Sequence, residues 1–121
     1  MNEPRVWVAG IGMTPFVSPS KGRVYTELAR VAVHEALADA GASIAEVEQV
    51  FAGYVYGDSA SGQCAVYGVG MGGAPVVNVN NNCASGSTAL YLARQAILAG
   101  SADCVLALGF EQMPRGALAE T

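Results

Sequence analysis

At 121 residues the chain is one domain or part of one. Hydrophobic residues make up 52% and charged residues 13%, about half of the usual ~25% for a soluble domain, so much of the surface is expected to lie against another domain or subunit. Net charge is −4 without a Lys/Arg cluster, which excludes a nucleic-acid footprint, and no apolar run approaches the ~20 residues of a membrane span.

The N-terminus, Met1-Asn2-Glu3-Pro4-Arg5, lacks the basic start and long apolar stretch of a signal peptide. Residues 5–12 then read as a first strand, apolar on both faces through Val6-Trp7-Val8-Ala9 and ending at glycines. Gly10-Ile11-Gly12 has the opening of a dinucleotide fingerprint, but Pro15 follows instead of a helix entry, so a nucleotide loop is not expected. Residues 15–22 form a Pro/Ser/Gly loop.

Thr26 to Ala40 reads as an amphipathic helix. Leu28, Ala32, Ala36, Leu37 and Ala40 make its apolar stripe; Glu27, Arg30, Glu35 and Asp39 its wet face. Gly41 stands where the left-handed residue after a helix belongs. His34, the only histidine, falls near the polar stripe and reads as a surface residue.

Val50 to Tyr56 is a second strand, followed by Gly57-Asp58-Ser59 and a short helix from Ser61 through Tyr67. Glycines 68, 70, 72 and 73 break the pattern before Pro75. Val76 to Asn80 is a third strand. Its asparagines at 78, 80, 81 and 82 need hydrogen-bond partners if buried; turn chemistry or a subunit interface would supply them.

Cys83 closes that run and opens a small-residue helix, residues 84–99. A thiol at a strand-to-helix turn faces free N–H groups of the helix's first turn, and these stabilise a thiolate and an oxyanion beside it. Cys83 is therefore the candidate nucleophile. Leu90, Tyr91, Leu92, Ala93, Ala96, Ile97, Leu98 and Ala99 almost surround the helix axis, which predicts burial on all sides under a second layer that the chain does not contain. Cys104 to Gly109 is the fourth strand. Cys104 reads as a buried, inert thiol, and Cys64 has no assigned role. Three distant cysteines fit neither a disulfide framework nor a metal site; a reducing compartment suits a free thiol. The alternation of strands and helices predicts an α/β fold with a mostly parallel sheet and right-handed crossovers.

With Asn81-Asn82-Cys83-Ala84-Ser85-Gly86-Ser87-Thr88-Ala89-Leu90 on that turn, the chain resembles a thiolase, and most of all the sterol-carrier-protein-type thiolases, also called lipid-transfer proteins. Val8 to Phe16, Gly53 to Asp58 and Val105 to Met113, which includes Leu108-Gly109-Phe110-Glu111, resemble the family's other segments.

The resemblance implies a layered αβαβα fold of two similar halves, of which residues 1–121 are the N-terminal portion, with the rest of the enzyme absent. The helix after the nucleophile would pack between two sheets. The strand at 76–80 would lie at a homodimer interface that gives the asparagines their partners. Cys83 would take an acyl group from a 3-ketoacyl-CoA, fatty or sterol, and pass it to coenzyme A; its N–H would be half of an oxyanion hole. Coenzyme A thioester is then a substrate, with no bound cofactor or metal, and no CoA-binding residue is assigned. The catalytic histidines and second cysteine would lie outside this sequence. Two alternatives remain: a retro-aldolase on steroid side-chain CoA esters with a partner protein, and a catalytically incomplete structural or dimerisation piece. The expected location is cytoplasmic, or peroxisomal in a eukaryote.

Overall fold

A computed structural model of the chain describes residues 5–114 and 116–117. Met1 to Pro4, read above for a signal peptide, and the final residues Glu120 and Thr121 lie outside them. Helix α1 (Tyr25–Ala40) is followed by strand β1 (Gln49–Gly53), helix α2 (Ser61–Tyr67), strand β2 (Val76–Val79), helix α3 (Ser85–Leu98) and strand β3 (Val105–Gly109). The sheet is parallel throughout, in the order β2-β1-β3. These neighbours agree with the α/β architecture expected from the alternation of elements.

Strand β1 is central because it has almost no polar side chain to keep wet. Its residues from Val50 to Gly53 are all buried. Successive side chains point to opposite faces. Val50 and Ala52 join Ala29, Val33, Ala65, Val66, Met71 and Leu108 in one core, beneath α1 and α2. Phe51 points the other way, to Ala89 and Ala93 of α3. Three layers result: α1 and α2, the sheet, then α3. From β1 to β2 the chain crosses by α2; from β2 to β3 it steps back past β1 by α3 on the opposite face. Reversing both direction and face preserves the hand of the crossover, as parallel sheets require.

Two glycines make the sheet's seat for α3. A Cβ on Gly53 would run into the carbonyl of Ser85, and one on Gly109 would stand 3.4 Å from the Cα of Gly86. The start of α3 therefore rests directly on the ends of β1 and β3. Gly41 ends α1 at φ 66°, the left-handed C-cap expected there.

Three expectations are corrected. Residues 5–12 are extended, but they join no strand ladder. They lie on α1 instead. A Cβ on Gly10 or Gly12 would meet the carbonyl of Ala36 or Ala32, and the Ile11 N–H donates to Asp39 Oδ2 at 2.9 Å. A cavity of about 570 Å³ separates this segment from β3. Its walls include Trp7, Gly10, Gly12, Leu106 and Leu108. The apolar pattern was real, but no neighbouring strand is present among the described residues to make the ladder.

Helix α3 is also not buried all round. Ser85, Ala89 and Ala93 face the sheet, while Leu90 and Tyr91 are 55% and 57% exposed. No described element covers that side. The apolar stripe of α1 is likewise shifted: its fully buried residues are Ala29 and Val33, one turn apart. Among the described residues no helix is long and apolar enough to cross a membrane.

Candidate active site

In parallel α/β sheets the ends of strands present loops and helix starts to one side. Here that side gathers Tyr54 to Asp58 after β1, Asn80 to Ala84 after β2, and Phe110 to Gln112 after β3. Cys83 lies in the middle group, two residues before the first residue of α3, and its side chain is exposed.

The turn that carries it is tightly specified. Asn82 has φ 51°, a left-handed conformation that asparagine tolerates better than most residues. The buried Ser85 hydroxyl accepts the Asn81 N–H at 2.9 Å and donates to the Asn82 carbonyl at 2.7 Å. Asn80 Oδ1 accepts the Asn82 N–H at 3.1 Å. Asn81 Nδ2 donates to Thr88 Oγ1 at 3.0 Å, and that hydroxyl donates to the Ala84 carbonyl at 2.8 Å. The N–H groups of Ala84 and Ser85 donate to the carbonyls of Asn81 and Asn82. Among the described residues, the N–H groups of Cys83, Gly86 and Ser87 meet no acceptor. The thiol thus stands at a helix start with free donors, an arrangement that can hold an oxyanion formed beside the sulfur.

The side chains of Asn78, Asn80 and Asn81 find partners inside the chain. Asn78 Oδ1 accepts the Gly62 N–H at 2.8 Å, and Asn78 Nδ2 donates to Gln63 Oε1 at 2.7 Å. Of the two accounts given above, a second subunit is not needed to supply these bonds. Turn chemistry and the β2–α2 contact explain them.

The loops around the turn are held by side chains that lie in the family-resembling segments but had been given no individual role. Glu111 accepts the N–H groups of Val55 and Tyr56 at 2.9 and 3.2 Å, fixing the backbone beyond β1. Phe110 stacks between Tyr25 and Tyr54, with ring centroids 5.1 and 5.0 Å away. Tyr54 donates to the Asp58 carbonyl at 2.9 Å and accepts the Ser61 N–H at 3.2 Å. Gln112 Oε1 accepts the Tyr25 N–H at 3.1 Å and so caps α1. Acidic, amide and aromatic side chains just past a strand end were the available signal. A cavity of about 200 Å³ opens beside the turn, lined by Tyr54, Val55 and Gly57 after β1 and by Asn78, Val79 and Asn80 of β2 and its end; Cys83 is not in its wall.

Of the other candidates, His34 falls as expected, Cys104 is less buried than expected, and Cys64 stays unassigned. His34 is exposed on α1. Cys104 is half-buried at the start of β3, and desolvation, with Glu46 and Glu48 nearby, pushes its thiol pKa up. Cys64 is exposed on α2. No group of three or more His, Cys, Asp or Glu among the described residues is arranged to hold a metal ion.

Comparison with known proteins places this geometry. Residues 6–121 match the family described as the thiolase N-terminal domain. The chain is 58% identical over 117 residues to sterol carrier protein 2 of Gallus gallus, covering 95% of this chain and 21% of that protein. It is 42% identical over 118 residues to non-specific lipid-transfer protein-like 2 of Caenorhabditis elegans, covering 96% of this chain and 29% of that one. The chain thus spans about a fifth to a third of the length of these relatives. In fold it is similar to 3-oxoacyl-[acyl-carrier-protein] synthase III of Aquifex aeolicus VF5, with a TM-score of 0.67 at 24% identity, covering 76% of this chain and 31% of that one. A parallel sheet that seats a cysteine-led helix on two glycines, and a family match along nearly the whole sequence, make the chain a member of the thiolase family.

Proposed function

We propose that the chain is the nucleophile-bearing N-terminal portion of a thiolase-type acyltransferase, with Cys83 as the nucleophile. The observation that carries this is an exposed thiol at the start of α3 beside N–H groups that meet no acceptor among the described residues. In the cleavage direction the Cys83 thiolate attacks the 3-keto carbon of a 3-ketoacyl-CoA, and the Cys83 N–H donates to the resulting oxyanion. The C2–C3 bond then breaks. Its electron pair goes to C2 of the departing acetyl-CoA, which takes up a proton, and the shortened acyl group stays on sulfur as a thioester. The thiol of a second CoA takes the acyl group and returns the proton to Cys83. In the synthetic direction an acyl-CoA carbanion is the acceptor instead.

The names of the relatives, a sterol carrier and a non-specific lipid-transfer protein, support a lipid acyl chain as the substrate class. The base and the second oxyanion donor would come from polypeptide outside this sequence. A homodimer through the open edge of β2, with Val77 exposed on it, and a peroxisomal or cytoplasmic location belong to the same reading.

The test uses the longer polypeptide that carries this region. Acetyl-CoA should protect Cys83 from stoichiometric labelling by iodoacetamide, and Cys83→Ala should lower thiolytic turnover by about 10³-fold or more, the scale of losing an essential nucleophile. Turnover that survives Cys83→Ala would select the retro-aldol lyase, which needs no acyl-cysteine. An unreactive Cys83 together with no turnover would leave a structural role.

A further inference from the structure

We propose that Ser85 is a positioning residue for Cys83: its buried hydroxyl pins the Asn81-Asn82 turn and so fixes where the thiol stands relative to the start of α3. The proposal rests on the reading of Cys83 as nucleophile and adds the residue that aims it.

Ser85 is 5% exposed, so its hydroxyl has almost no access to water. It uses donor and acceptor together, toward the Asn82 carbonyl at 2.7 Å and from the Asn81 N–H at 2.9 Å. Both partners belong to the two residues immediately before Cys83. Asn82 is held at φ 51°, and a strained backbone of this kind persists only where its surroundings over-determine it. The hydroxyl is part of that determination.

Ser85 itself cannot move. Its carbonyl abuts Gly53, where even a Cβ would collide, and the next residue, Gly86, lies against Gly109. The force is therefore transmitted from the sheet, through Ser85, to the turn. Without the hydroxyl, the Asn81 N–H loses its acceptor and the Asn82 carbonyl keeps only the Ser85 N–H, and the turn relaxes toward a conformation that turns Cys83 away from the free N–H groups. A misplacement of about 1 Å is enough to cost a reacting group much of its rate.

The test reads the alkylation rates of Cys83, Cys64 and Cys104 by mass spectrometry in the reduced longer polypeptide that carries this region, with Cys64 and Cys104 as internal standards. In Ser85→Ala the Cys83 rate should fall about tenfold while the other two stay within about twofold. Ser85→Thr, which keeps donor and acceptor, should hold Cys83 near its original rate. An unchanged Cys83 rate in Ser85→Ala, or an equal fall in Ser85→Ala and Ser85→Thr, would overturn the proposal. Should Ser85→Ala fail to fold, revealed by fast alkylation of Cys104, amide exchange of the unmodified chain decides. The Asn81 N–H must exchange at least about tenfold slower than an open turn amide, and an unprotected Asn81 sinks the idea. The nucleophile reading fails by a different signal, a Cys83 that reacts no faster than Cys64 in the unmodified chain.

Discussion

Cys83 and Cys104 are the same side chain in opposite settings. Cys83 is exposed at a helix start whose first N–H groups meet no acceptor among the described residues; Cys104 is half-buried in a strand entrance, with Glu46 and Glu48 nearby. Burial and then the two carboxylates disfavour the thiolate at Cys104, so its pKa rises above the ordinary thiol value. The thiolate is the reacting form, and a raised pKa leaves less of it near neutrality. Cys104 should therefore be the slowest of the three thiols toward iodoacetamide at neutral pH. Its rate should continue to climb above pH 9, after a free thiol has levelled off. A Cys104 rate that levels off below pH 9 would show that its surroundings are not selecting the neutral thiol. This contrast was legible in the sequence, because a cysteine within an apolar strand and one at a polar-to-small boundary are different patterns. Ser85 was not. Its importance comes from two hydrogen bonds and a backbone contact with Gly53, far away along the chain, which only the assembled sheet creates.

Among the elements, α3 depends most on a position that carries no side chain. Gly53 ends β1 in the middle of the sheet, and the carbonyl of Ser85 occupies the space where its Cβ would be. Gly53→Ala must either push the start of α3 off the sheet or distort the end of β1. Overpacking of this kind costs about 1–3 kcal/mol, to be read as a lower urea midpoint with an unchanged slope. The displaced helix start should also slow alkylation of Cys83 in the fraction that remains folded. A Gly53→Ala chain with the original midpoint would mean that α3 has slack against the sheet. The elements themselves were readable from periodicity: α1 and the three strands of the sheet fall within a few residues of their expected limits. What sequence could not supply was the partner of residues 5–12. Their apolar, extended character is there, and glycines 10 and 12 let them lie against α1, but strand ladders need a neighbour at about 4.8 Å.

At the scale of the molecule, the low charge content and the open surfaces are two views of one property. The core beneath α1 and α2 is covered, with Val33, Val50 and Val66 fully buried. The opposite side is not: Leu90 and Tyr91 on α3 are more than half exposed, and Trp7, at the rim of the cavity beside β3, is 75% exposed. Contiguous apolar surface of this sort marks contact with other polypeptide. In the relatives the same stretch of sequence is about a fifth to a third of the protein, so most of the chain that could supply cover lies outside it there. Taken by itself, then, the 121-residue chain should associate. Sedimentation velocity at tens of micromolar should show species larger than the monomer, as expected for a surface whose burial yields roughly 25 cal/mol per Å². Leu90→Lys should shift the distribution toward monomer, because it places a charge in the centre of the open face. His34→Lys, on the wet side of α1, should change nothing. Raising salt should not dissolve the assemblies, since screening acts on charges and this face has few. A monodisperse monomer for the unmodified chain would show that α3 tolerates water along its outer side, and the layered arrangement inferred for that side would lose its physical motive.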